Sequence, residues 1–108
     1  MAAIPSVTPA ELKKELAEGK EVFLLDVREP SEFKTVALPG AYLIPLGEIG
    51  YRHEDLDPDL DIVVYCHHGM RSAQAIGVLK QKGFTKLRNL AGGIDYWAET
   101  VEPGMKRY

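Results

Sequence analysis

The spacing of hydrophobic positions changes repeatedly along this chain, and each change marks an element. Thr8-Pro9-Ala10-Glu11 predicts a helix start: Thr8 can cap, Pro9 suits the first helical position, and Glu11 can reach back as the capping-box partner. Leu12 and Leu16 fall on one face of that helix, and Gly19 is placed to end it. Residues 21–27 form a short apolar run with little alternation, which predicts a strand covered on both faces. Pro30-Ser31-Glu32-Phe33 predicts a short helix or turn anchored by Phe33. Residues 42–44 predict a second strand, set off by Pro39-Gly40 and stopped by Pro45. One or two helical turns are expected over residues 46–52, and a surface loop over residues 54–61, where Pro58 lies among polar residues.

Ile62–Tyr65 is the strongest buried-strand signal, and Cys66 sits directly at its end. Residues 67–70 predict a turn containing Gly69. A helix follows from residue 71 or 72 to residue 82, with Ala75, Ile76 and Leu79 on its inner face and Gly83 closing it. Leu87–Leu90 predicts the last strand and Ala91-Gly92-Gly93 a tight turn. A final helix over residues 94–100 has Tyr96 and Trp97 as expected core anchors. Short apolar strands alternating with helices argue for an α/β fold: a small parallel β-sheet flanked by helices on both faces.

With 108 residues, the chain fits one domain, 1–108, with no room for a second substantial core. Its hydrophobic fraction of 45% argues against disorder. A net charge of −3 gives no general pull toward nucleic acid or an anionic membrane. No apolar run approaches the length of a membrane span, and Met1 to Val7 lacks a secretory pattern, so a cytoplasmic protein is expected. The single cysteine cannot form an internal disulfide, which turns attention to its chemistry.

Cys66-His67-His68-Gly69-Met70-Arg71-Ser72 links the C-terminal end of a buried strand to a helix N-terminus. Ligand sites of open parallel sheets gather at that edge. Free amide N–H groups and the positive end of the helix dipole favour an anion there, so the Cys66 thiol is expected to have a depressed pKa. Arg71 adds a permanent charge, and Gly69 permits a backbone that turns successive N–H groups inward. A buried, inert cysteine is the alternative. Either His67 or His68 can donate to an incoming anion, or both can simply face solvent. Two adjacent histidines and one cysteine do not make a tetrahedral set, so no metal is expected. Asp26 and Arg28 end the first buried strand at the same edge, with Arg28 either near the site entrance, where it attracts anions, or in an ion pair with Asp26, Glu29 or Glu32 that ties the loop down. Ser72 suits a helix start, and His53 is expected to be solvated.

Four segments in order resemble the single-domain rhodanese (sulfurtransferase) family: Asp26-Val27-Arg28 with Glu32-Phe33, Pro39-Gly40-Ala41, the loop from Cys66 to Ser72, and Leu90-Ala91-Gly92-Gly93-Ile94 with Trp97. The resemblance covers nearly the whole chain. It implies a Cys66 persulfide that takes sulfane sulfur from thiosulfate or a protein persulfide. The acceptor it implies is thiophilic: cyanide in vitro, a thiol or a sulfur-carrier protein in the cell. It implies no metal or organic cofactor. Backbone N–H groups from His67 to Ser72 would hold the persulfide anion, and Arg71 would fix the loop and help hold an anionic donor. Four residues separate Cys66 from Arg71, the shorter loop that in this family goes with sulfur transfer. Phosphatases and arsenate reductases of the same fold carry one residue more. A silent binding or regulatory module on this fold is the other alternative. Two departures stand out: Val36-Ala37-Leu38 replaces the Gly-His-Ile of many relatives, and His67 stands where a cationic or amide residue is common.

Overall fold

The computed structural model describes residues 4–108; residues 1–3 of the N-terminal segment lie outside the described residues. The elements run β1 (Ser6–Val7), α1 (Pro9–Ala17), β2 (Phe23–Asp26), α2 (Pro30–Thr35), β3 (Tyr42–Leu43), α3 (Ile49–Arg52), β4 (Ile62–Tyr65), α4 (Met70–Gln81), β5 (Leu87–Leu90) and α5 (Gly93–Thr100). All strand pairs are parallel, in the order β1-β5-β4-β2-β3. The expected parallel α/β architecture is what forms.

Local chemistry accounts for much of this. At α1 the Glu11 N–H donates to Thr8 Oγ1 at 3.1 Å while the Thr8 N–H donates to Glu11 Oε1 at 2.9 Å, so two free donors are satisfied reciprocally. Neighbouring side chains on a strand point to opposite faces, and β4 shows the consequence. Ile62, Val64 and Cys66 enter one core with Ile49, Ala75, Ile76 and Leu79 of α3 and α4. Val63 and Tyr65 enter the other with Leu12, Ile94 and Trp97 of α1 and α5. Each fully buried Leu or Ile contributes on the order of 1.5–3 kcal/mol relative to exposure. Two such cores hold the central strand from both sides.

The structure corrects several expectations. β1 was not foreseen: two residues carry no periodicity, yet Ser6 and Val7 pair with Asn89 and Leu90. Leu16 stays exposed at the far end of α1, leaving Leu12 as its main anchor. Leu56, in the stretch read as a surface loop, turns back from a short helical turn into the core. His53 is half-buried, with Nδ1 3.3 Å from the Ile49 carbonyl oxygen. Tyr96 is 43% exposed rather than a core anchor, whereas Trp97 is buried as expected. Phe33 is half-buried rather than a full anchor.

Strand order decides where the site lies. Cys66 follows β4, the middle strand, with β5 on one side and β2 on the other. Asn89, paired in register with Val64, and Asp26, paired with Tyr65, therefore flank the same edge.

Candidate active site

Cys66 is only 1% exposed. It borders an open cleft of about 370 Å³ lined also by His67, His68, Met70, Arg71 and Gln74. The strand end beneath it is held by α5: the Ile94 N–H donates to the Cys66 carbonyl at 2.9 Å and the Asp95 N–H to the His67 carbonyl at 3.1 Å. Gly93 makes this possible, because a Cβ there would run into both carbonyl oxygens. The pair Gly92-Gly93, read from sequence as a tight turn, is thus also a close approach of helix to loop.

From Cys66 the chain rises and returns through Gly69, whose φ of +112° is the left-handed conformation that glycine tolerates. That conformation turns the Gly69 N–H onto Cys66 Sγ at 3.0 Å. The helix α4 starts at Met70, one or two residues earlier than expected, and its Ser72 N–H lies 3.4 Å from the sulfur. Ser72 Oγ is also 3.4 Å from Sγ, and it donates to Asn89 Oδ1 at 2.6 Å. Ser72 therefore does not cap the helix, as its position had suggested. Asn89 in turn donates from Nδ2 to the Gly69 carbonyl at 3.1 Å, bracing the loop from below.

Burial pushes the Cys66 thiol up. Hydrogen bonds aimed at the sulfur, among them those from the N–H groups of Ser72, Gly69 and His68, more than offset this, and the net pKa is lowered from the ordinary thiol value. The thiolate is therefore populated at lower pH than in an unstructured chain. Alkylation of Cys66 against pH is expected to reach half its limiting rate at a lower pH in the native protein than in urea. A native midpoint at or above the urea value would remove the role assigned to these donors.

Arg71 stands at the rim in a two-pronged ion pair with Glu32, Nη1 to Oε1 at 2.6 Å and Nη2 to Oε2 at 2.9 Å. Its guanidinium, with help from the Glu29 N–H and Tyr108, holds the Glu32 carboxyl down at about 2. Asp26 and Arg28 are fully buried and paired, with Nη2 to Oδ2 at 2.6 Å. The ion-pair reading of Arg28 thus holds over the entrance reading, with Asp26 as its carboxylate. Arg28 also donates to the Val36 carbonyl at 2.6 Å, tying down the segment that departs from the family pattern.

His68 is exposed, but His67 is packed between two rings: His68 at 4.0 Å between centroids and Tyr108 at 4.1 Å. Burial, and the nearby His68, push the His67 pKa down. Its Nε2 is buried without a hydrogen-bond partner, 3.9 Å from Asp95 Oδ1. His67, His68 and Asp95 have ligand atoms within 4.8 Å of one another. The two histidine rings are stacked with their planes 30° apart, and Arg107 donates to both Asp95 oxygens, so the carboxylate is already engaged in an ion pair.

The structure gathers Cys66, His67, His68, Gly69, Met70, Arg71 and Ser72 around one cleft and its floor, and sets Asp26 and Arg28 beneath the rim. Sequence reasoning missed Asn89, Asp95 and Tyr108, and saw Glu32 only as a partner for Arg28. Asn89, a polar residue one position before the end of β5, was the one local signal available.

Residues 8–100 match the rhodanese-like domain family. The chain is 40% identical over 105 residues to the probable adenylyltransferase/sulfurtransferase MoeZ of Mycobacterium tuberculosis, a match covering 95% of this chain and 27% of that protein. It therefore spans about a quarter of that relative's length. It is 36% identical over 95 residues to a sulfurtransferase of Allochromatium vinosum, covering 88% of this chain and 89% of the other. The crystal structure of a rhodanese-related protein from Thermoplasma volcanium superposes with a TM-score of 0.82 at 32% identity, covering 92% and 95% of the two chains. On sequence and architecture alike, the chain belongs to the rhodanese-like domain family.

Proposed function

We propose that this chain is a sulfurtransferase that carries sulfane sulfur on Cys66. The observation that carries the reading is the aim of two fixed N–H donors, Gly69 and Ser72, at a cysteine sulfur that borders an open cleft. Such a cradle favours sulfur as an anion, in the thiolate before transfer and in the persulfide after it. With thiosulfate as donor, the Cys66 thiolate attacks the outer sulfur. A new S–S bond forms, the old one breaks with its electron pair leaving on sulfite, and Cys66–S–S⁻ remains. A thiophilic acceptor then attacks the terminal sulfur and the Cys66 thiolate departs, closing a two-step displacement.

Arg71 anchors the rim and attracts the anionic donor. Thiosulfate and a protein persulfide both suit it, with cyanide, a thiol or a sulfur-carrier protein as acceptor. Relatives named as sulfurtransferases support the transfer reading. A phosphatase or arsenate reductase is disfavoured by the four-residue span from His67 to Met70, a small cradle for a tetrahedral oxyanion. Two cores on one sheet favour a single domain over residues 4–108. The proposed chemistry needs Cys66 kept as a free thiol, which a reducing cytoplasm provides.

Intact mass measured before and after incubation with thiosulfate tests the proposal. The expected result is a gain of one sulfur atom, reversed by cyanide. If neither thiosulfate nor a protein persulfide adds sulfur while the thiol still alkylates, the proposal fails.

A further inference from the structure

The segment after α5 returns to the site and places Tyr108 between two ion pairs of different character. The Tyr108 hydroxyl accepts from Arg28 Nη1 at 2.7 Å and donates to Glu32 Oε2 at 2.8 Å. Arg28 is a fixed point: it is fully buried and held by the Asp26 carboxylate and the Val36 carbonyl. Glu32 and Arg71 are partly exposed at the rim. One hydroxyl thus ties the movable pair to the immovable one, in the chain Asp26–Arg28–Tyr108–Glu32–Arg71.

We propose that Tyr108 is a positioning residue that sets Arg71 for capture of the anionic donor, acting through Glu32. Two features make the tie effective. Burial is the main cause pushing the Tyr108 hydroxyl up to about 12, so it keeps the proton it donates through the neutral range. Its ring lies flat on His67, 12° from parallel at 4.1 Å, which limits the swing of the hydroxyl. A hydrogen bond to a charged group is stronger than one between neutral groups, and here the same hydroxyl serves two. Without it, Glu32 loses a donor that shares its charge. The Arg71 guanidinium then sits beside a less neutralised carboxylate on a looser tether, and the cleft attracts anions less.

The inference rests on the sulfur-transfer reading for the identity of the anion, and its test does not use sulfur transfer. Cys66 is the only cysteine, so alkylation reports this cleft alone. The ratio of its rates with anionic iodoacetate and neutral iodoacetamide measures attraction for anions. Tyr108→Phe keeps the ring on His67 and removes only the hydroxyl. This variant is expected to lower the ratio roughly twofold or more, with the iodoacetamide rate unchanged. In a Glu32→Gln background the same change is expected to leave the ratio where Glu32→Gln alone put it, because the tie acts through that carboxylate. An unchanged ratio in Tyr108→Phe overturns the proposal, as does an equal drop in the Glu32→Gln background. Loss of sulfur loading in the wild type, with the ratio still falling in Tyr108→Phe, overturns the sulfur-transfer reading and leaves the tie in place.

Discussion

A Cys66→Ser protein is expected to keep its fold and to take up no sulfur from thiosulfate or from a protein persulfide. Serine fits the space, and its hydroxyl can still meet the Gly69 and Ser72 N–H groups that face the sulfur. It cannot supply the chemistry. A serine hydroxyl stays protonated at neutral pH and is a poor nucleophile without an adjacent base, whereas the thiol is drawn toward thiolate by the same donors. No neighbouring group takes the role of that base: Ser72 gives its proton to Asn89, and the His67 ring is held in its stack. The loss is therefore expected to be on the order of 10³-fold or more, the scale seen when a nucleophile is removed. Intact mass gives the sulfur load and circular dichroism the fold. A folded serine variant that still gains sulfur would remove Cys66 from the mechanism.

Asp26→Ala is expected to be the most damaging change to stability. Both members of the Asp26–Arg28 pair are fully buried, and the carboxylate also accepts the Arg28 N–H at 2.9 Å. Removing one partner leaves a charge stranded in the interior, at a cost of about 3–5 kcal/mol. Domains of this size have roughly 5–15 kcal/mol in total, so the change consumes a large share. A fall in Tm of roughly 12–40 °C follows from about 4–8 °C per kcal/mol. The double variant Asp26→Ala/Arg28→Met separates the stranded charge from lost packing. It is expected to be more stable than Asp26→Ala alone, because no unpaired charge remains. A double variant that is less stable than the single would show that packing, and not charge, dominates at this position. Denaturant unfolding followed by tryptophan fluorescence measures both, with Trp97 as the only reporter.

What the two changes share is an origin at the C-terminal edge of the sheet, and they differ in what sequence reading can see of them. The proposed nucleophile and the donors around it are local. Cys66, Gly69 and Ser72 lie within six residues, and a strand end, a left-handed glycine and a helix start are each decided by near neighbours. The capping box at Thr8 and Glu11 is visible for the same reason. So is the placement of Asp26 and Arg28, two residues apart on one strand end.

The sequence by itself therefore determined the parallel α/β architecture, the sheet edge where the candidate site lies and the loop that surrounds the Cys66 thiol. Only the tertiary structure decided who braces that loop. Glu32 meets Arg71 across 39 residues, Asn89 meets Ser72 across 17, and Tyr108 meets Arg28 across 80. It also decided that Tyr96 faces solvent while Leu56 does not. Local pattern reports what a segment prefers, but long-range ion pairs and stacked rings form only when the strand order 1-5-4-2-3 brings distant segments to one edge. Their energy depends on burial that no segment has until the others are in place.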